Sequence, residues 1–215
     1  MKRIVFVALS VFVGLSSFAN DRFYIEDFTI AAGETVTVSI LLENEVAYTA
    51  FQTDIYLPEG LTIEQEDGDY IFDLTSRKAR DHNIASQTQA DGAIRVMSYS
   101  PSIKAYSGNS GALVTFNVTA NEGFTSSANI QIRNTLLTTT AGVEVAVADE
   151  ECLVKLFIKG DVDDDGKVTI GDVTALIDYL LYGDASSINL TNADVDQDGA
   201  IKISDVTELI DMLLS

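Results

Sequence analysis

Tryptophan is absent from the 215 residues, cysteine and histidine occur once each, proline twice, and only 13 basic residues face 33 acidic ones. Each shortage excludes something. A single cysteine rules out an internal disulfide framework and any Cys-rich zinc or iron–sulfur site. Lacking tryptophan, the chain has no strong aromatic platform of the kind that sugar-binding sandwiches use. A formal charge of −20 repels phosphate backbones, so nucleic acid is excluded as a partner. What that charge invites is a hard cation. Hydrophobic residues make up 47% of the chain, enough to fill a core, so this is not a disordered acidic tail.

Long apolar runs are also scarce, and the one present is N-terminal. Lys2 and Arg3 precede an almost unbroken apolar stretch from Ile4 to Leu15, and Ser17 and Ala19 supply small residues before Asn20. This is the pattern of a cleaved secretory signal peptide over residues 1–19, and twelve apolar residues are too few to span a bilayer. No cysteine follows the run to accept a lipid. The expectation is an exported, extracytoplasmic protein without a membrane span, cut after Ala19, whose charge becomes −22 once Lys2 and Arg3 are gone.

Residues 20–159 alternate with the period of two that half-buried strands require. Val36, Val38, Ile40 and Leu42 face one way and Thr35, Thr37 and Ser39 the other. Similar alternation runs through Phe51–Leu57, Ile94–Val96, Val114–Val118, Ile130–Ile132, Val143–Val147 and Val154–Ile158. With Phe23–Ile30 this predicts eight or nine short strands and a jelly roll or β-sandwich. Cys152 falls in phase with Val154 and Leu156, as a small buried residue would. His82, in the polar run Arg80-Asp81-His82-Asn83, reads as solvated rather than catalytic, and no Ser or Cys has a base partner in view, so no catalytic residue is assigned. Tyr48, Tyr56, Tyr70, Tyr99 and Tyr106 leave a glycan as a possible ligand, although tyrosines at sheet rims with wet hydroxyls are the preferred reading.

From Gly160 to Ser215 the character changes: 13 acidic residues stand against Lys167 and Lys202, a net −11 in 56 residues. Asp161-Val162-Asp163-Asp164-Asp165-Gly166 opens a loop that closes on Asp172, and Asp194-Val195-Asp196-Gln197-Asp198-Gly199 opens one that closes on Asp205. Residues 160–181 and 193–214 share 14 identities in 22 positions, an internal duplication. Calcium takes six to eight oxygens at about 2.3–2.6 Å, and a tight loop supplies them from positions 1, 3, 5, 7 and 12. Two calcium sites follow: Asp161, Asp163, Asp165, the Lys167 carbonyl and Asp172 in one, and Asp194, Asp196, Asp198, the Ala200 carbonyl and Asp205 in the other. Thr169 at position 9 can act through water, whereas Lys202 cannot ligate as a cation. Val168 and Ile201 are placed to pair the loops back to back. Each loop runs into an amphipathic helix whose stripe is Val173, Leu176, Ile177, Leu180 and Leu181, or Val206, Leu209, Ile210, Leu213 and Leu214.

Two resemblances follow from these residues. Gly33–Val38, Ala50–Ile55 and Gly111–Val118 look like strands of cohesin modules, jelly-roll receptors related in fold to carbohydrate-binding domains. The duplicated loop–helix unit, with Asp rather than Glu at position 12, resembles a type I dockerin, an EF-hand-like domain. Together they imply an all-β sandwich (20–159) followed by a small α-helical calcium loop–helix domain (160–215). They further imply a non-catalytic adaptor in a cellulosome-type assembly that breaks down polysaccharide. The dockerin resemblance implies docking to a cohesin-bearing partner through Ile170, Gly171, Ile177 and Asp178, and through Ile203, Ser204, Ile210 and Asp211. These positions depart from the hydroxyl and Lys-Arg pairs familiar there. No Pro/Thr-rich tether separates the regions, so two arrangements stay open. Either the dockerin reaches a cohesin- or dockerin-bearing partner, which needs an exposed helix face, or it packs on its own sandwich, which would cover that face. A small hydrolase carrying a dockerin ranks below both.

Overall fold

The computed structural model describes residues 21–215, so the expected signal peptide lies outside the described residues. Fourteen strands come first in chain order. They are β1 (Arg22–Ile25), β2 (Phe28–Ala31), β3 (Thr35–Glu43), β4 (Tyr48–Tyr56), β5 (Leu61–Ile63), β6 (Gln65–Glu66) and β7 (Asp69–Tyr70). β8 (Asp73–Leu74), β9 (Asn83–Thr88), β10 (Ile94–Tyr99), β11 (Ala112–Ala120), β12 (Ala128–Thr139), β13 (Glu144–Ala146) and β14 (Glu150–Phe157) complete the set. Three helices follow: α1 (Ile170–Tyr182), α2 (Leu190–Ala193) and α3 (Ile203–Leu214). One sheet runs β1-β3-β11-β5 with β8 beside β11, and the other runs β2-β14-β12-β4-β10-β9 with β13 beside β12. β6 and β7 form a separate hairpin.

Alternation decides which faces meet. Val38, Ile40 and Leu42 of β3 are buried, and their register sets Val38 opposite Phe116 and Ile40 opposite Val114 on β11. Phe51 and Ile55 answer from β4 in the facing sheet. Phe23 stacks obliquely on Phe51 at 5.0 Å and Phe72 on Phe116 at 5.2 Å, the offset geometry aromatic quadrupoles favour.

The expected single strand over Phe23–Ile30 is two. β1 pairs antiparallel with β3, and after Glu26 and Asp27 the chain crosses to pair parallel with β14 as β2. Asp27 secures the crossing by accepting the Leu153 N–H at 2.8 Å. Nor are the strands eight or nine: β5 to β9 include short or polar segments that carry little apolar alternation. Cys152 is buried as expected, and burial pushes its thiol up to about 12.

Several polar groups sit deeper than the sequence suggests. His82 is buried rather than solvated: its ring stacks on Tyr106 at 4.2 Å and its Nδ1 accepts the Ala79 N–H. Tyr48 and Tyr106 are core residues, not rim residues, with hydroxyls donating to Asp21 and Ser98. On the outer face of β4, Asp54 is buried under Arg95, which donates two 2.7 Å bonds from Nε and Nη2, and Asn134 adds a third at 3.1 Å. These bonds, led by Arg95, hold the Asp54 carboxyl below the usual carboxylate range.

Arg77 is the clamp of this half. Its guanidinium donates to the carbonyls of Leu42 and Gly111 at 2.7 Å, Ser107 at 2.8 Å and Gly108 at 3.2 Å, and to Asn44 Oδ1 at 2.9 Å. It thereby ties the end of β3 to the loop that feeds β11. Arg77→Met strands those acceptors in a buried site and is expected to cost about 3 kcal/mol in urea unfolding. Arg77→Lys is expected to recover less than half of that, because an ammonium cannot span the fork.

The helical half has its own core of Val162, Val173, Leu176, Ala193, Val195, Val206 and Leu209. Only Ile158, Lys159 and Gly160 join it to β14. Gly160 has φ +88° and stands so close to α3 that a Cβ there would lie 2.7 Å from Leu209 Cδ1. Its N–H donates to the Asn192 carbonyl at 3.0 Å, which ties the junction to α2. Among the described residues, no helix is long and apolar enough to cross a membrane.

Candidate metal and docking site

The two acidic loops fold alike because the same side chains close them. Asp161 accepts the Asp165 and Gly166 N–H groups at 3.1 and 3.0 Å, and Asp194 accepts those of Asp198 and Gly199 at 3.1 and 2.9 Å. Gly166 and Gly199 stand at φ +84° and +86°, the left-handed turn expected at position 6. Sequence reasoning missed that position 4 is left-handed too: Asp164 has φ +61° and Gln197 φ +59°. Asp tolerates this conformation better than Gln, so only the first copy carried a signal for it.

The result is two convergent trios. Ligand oxygens of Asp161, Asp163 and Asp165 lie within 4.8 Å of one another, as do those of Asp194, Asp196 and Asp198. Three carboxylate oxygens around one point suit a hard divalent cation. In the first trio burial, then the neighbouring carboxylates, raises the Asp161 and Asp163 carboxyls above their ordinary range. In the second, Lys202 holds the Asp198 carboxyl down.

The position-12 residues do not join the trios. Asp172 and Asp205 are fully buried and bind backbone instead. Asp172 accepts from Val162 N at 2.7 Å, Asp163 N at 3.1 Å and Thr169 N at 2.7 Å, while Thr169 Oγ1 accepts from Gly171 N at 3.0 Å. That is a capping box, and it welds the start of the loop to the start of α1. Asp205 makes the carboxylate half of that arrangement, accepting from Asp196 N at 3.0 Å and Lys202 N at 2.8 Å, but Lys202 offers no side-chain acceptor to cap α3. Lys167 and Ala200 donate their N–H groups to Asp165 and Asp198, both at 2.9 Å. Val168 and Ile201 form no β-bridge; their side chains pack on the small core instead.

The helices bury only part of their stripes. Val173, Leu176, Val206 and Leu209 are buried, but Ile177 and Ile210 are each 38% exposed and Ile170 and Ile203 are 72% and 70% exposed. Gly171, Asp178, Ser204 and Asp211 are exposed as well. The face that an intramolecular packing would cover is therefore open. Neither helix has a basic residue in its last turn, so this surface is apolar and acidic.

The fold and the loops together define a β-sandwich module joined to a small duplicated loop–helix domain, and comparison gives each half its relatives. Residues 159–214 match the family model of the dockerin type I domain. The sandwich is similar to a non-cellulosomal cohesin from the hyperthermophilic archaeon Archaeoglobus fulgidus, at 15% identity and TM-score 0.52 over 65% of this chain and 93% of that one. It is also similar to the cohesin module of a family 33 glycoside hydrolase from Clostridium perfringens, at 13% identity and TM-score 0.51 over 66% and 98%. A chain of a type I cohesin–dockerin complex from Clostridium thermocellum matches at 11% identity and TM-score 0.51 over 64% and 99%. No curated protein matches the chain. The chain thus joins a sandwich of cohesin-like fold to a C-terminal segment that matches the dockerin type I domain.

Proposed function

We propose that this protein is an exported, non-catalytic calcium-binding adaptor, divided near residue 159, whose dockerin engages a cohesin-bearing partner while its sandwich stays free for a second one. The observation that carries this reading is the pair of exposed apolar faces, Ile170 with Ile177 and Ile203 with Ile210, each beside an acidic trio. Two calcium ions are assigned to the loops. Asp161, Asp163 and Asp165 with the Lys167 carbonyl hold one, Asp194, Asp196 and Asp198 with the Ala200 carbonyl the other, and Asp172 and Asp205 close the loops. Calcium supplies the positive charge that lets several carboxylates share so small a volume, and thereby fixes the loop that starts each helix.

A role in polysaccharide breakdown rests on the family resemblance alone. The alternative, a protein- or glycan-binding sandwich stabilised by its own dockerin, is disfavoured by the open helix faces. The test is capture by the immobilised mature chain from proteins exported by the same organism, together with a panel of purified cohesins. Retention in calcium and release by chelator is expected. Equal retention with and without chelator would count against the adaptor reading.

A further inference from the structure

The two loops are near copies in backbone and hydrogen bonding but differ at position 9. Thr169 there spends its hydroxyl on capping α1. Lys202 instead sends its ammonium back into its own loop, where Nζ lies 2.7 Å from Asp198 Oδ2. The other oxygen of Asp198 accepts the Ala200 N–H at 2.9 Å, so both oxygens of the position-5 carboxylate are engaged. Among the described residues, no ion pair reaches Asp161, Asp163 or Asp165; Lys167, the lysine of the first loop, touches Asp165 only through its backbone N–H.

Resting on the calcium reading above, we infer that Lys202 is a tethered competitor that makes the two sites unequal, so that the first loop fills before the second. A divalent ion entering the second trio must displace the ammonium from Asp198. The displaced lysine stays on the same loop and repels the ion, because its backbone is held by the Lys202 N–H bond to Asp205. The pair is half exposed, with side-chain accessibilities of 55% and 44%, so the ammonium can swing into water and the site is weakened rather than abolished. Position 4 adds charge to the first loop through Asp164, whose carboxylate accepts from Asn189 Nδ2 at 3.0 Å. Over an intermediate range of calcium the protein would hold its first loop ordered and its second loop latched by lysine. The α1 face would then be ready for a partner before the α3 face.

The test follows the Gly166 and Gly199 amide resonances of the mature full-length chain during calcium titration in 0.1 M salt. Gly166 is expected to reach half-change at a calcium concentration about three- to tenfold below that for Gly199. Lys202→Met, which keeps the stem and removes the charge, and Lys202→Thr should both bring Gly199 down by about the same factor. Lys167→Met, which removes the same charge from the other loop, should move neither midpoint by more than about twofold. Unchanged Gly199 behaviour in Lys202→Met, or an equal effect from Lys167→Met, overturns the competitor role while leaving the calcium reading intact. No response of either glycine to calcium overturns both.

Discussion

Asp172→Ala is expected to unfold the C-terminal half while leaving the sandwich folded, even in millimolar calcium. Asp172 is fully buried, and its carboxylate accepts three backbone N–H groups that begin the loop and cap α1. Alanine leaves those donors without partners, at about 1–3 kcal/mol each where water cannot reach. The half it stabilises has only seven buried apolar residues in its core and no disulfide, so it has little reserve to absorb that loss. Scanning calorimetry of the mature chain should show the dockerin transition vanish and the sandwich transition persist, with the helical circular dichroism signal lost in parallel. Asp172→Asn retains one accepting oxygen and should retain a lowered transition. A wild-type pair of transitions in Asp172→Ala would show that position 12 closes nothing.

The double variant Ile170→Asp with Ile203→Asp is expected to abolish partner capture without changing stability. Both side chains are more than two-thirds exposed and lie outside the small core. Their replacement should therefore shift unfolding by no more than about 0.5 kcal/mol. At a docked surface each isoleucine is worth about 1.5–3 kcal/mol of burial, and an aspartate would also bury an unpaired charge. A loss of at least about a hundredfold in affinity follows, equivalent to roughly 2.7 kcal/mol. Because α1 and α3 present matching faces, the two single variants report which copy the partner uses. Wild-type capture by the double variant would move the docking surface elsewhere.

Where residues repeat with a fixed period and a single role, the sequence announces the structure. β3 and β11 are visible because each alternates cleanly and every second residue is core. The acidic loops are visible because Asp and Gly recur at the same spacing in two copies of one segment. Legibility fails where one residue changes the phase. In β12, Ile130 and Ile132 point inward, but Asn134 takes φ +54° in a bulge, and the buried positions thereafter are Thr135 and Leu137. β9 (Asn-Ile-Ala-Ser-Gln-Thr) is an edge strand with polar and half-exposed faces, so hydrophobic alternation has nothing to mark. The burial of His82, Tyr48 and Tyr106 was illegible for a related reason. A polar tip advertises solvent unless its partner is known, and no local pattern names those partners: Ala79 in a turn, Asp21, which lies 27 residues from Tyr48, and Ser98 on the inner face of β10.

The helical stripes teach the opposite lesson. Both read as five-residue core faces, yet a domain this small can cover only the two residues nearest its centre. Ile177, Leu180 and Leu181 and their counterparts are left partly or largely in water. Amphipathicity gives the direction of the core but not its depth. Here the surplus apolar surface stays exposed, and a three-residue junction rather than a long tether joins this half to β14.

Native mass spectrometry of the mature chain in calcium tests the central claim most directly. Two calcium ions per chain are expected, falling to one in Asp161→Ala and one in Asp194→Ala, since each substitution removes the carboxylate that gathers its own loop. A chain that carries no calcium, or that keeps both ions when Asp161 and Asp194 are replaced together, would contradict the account.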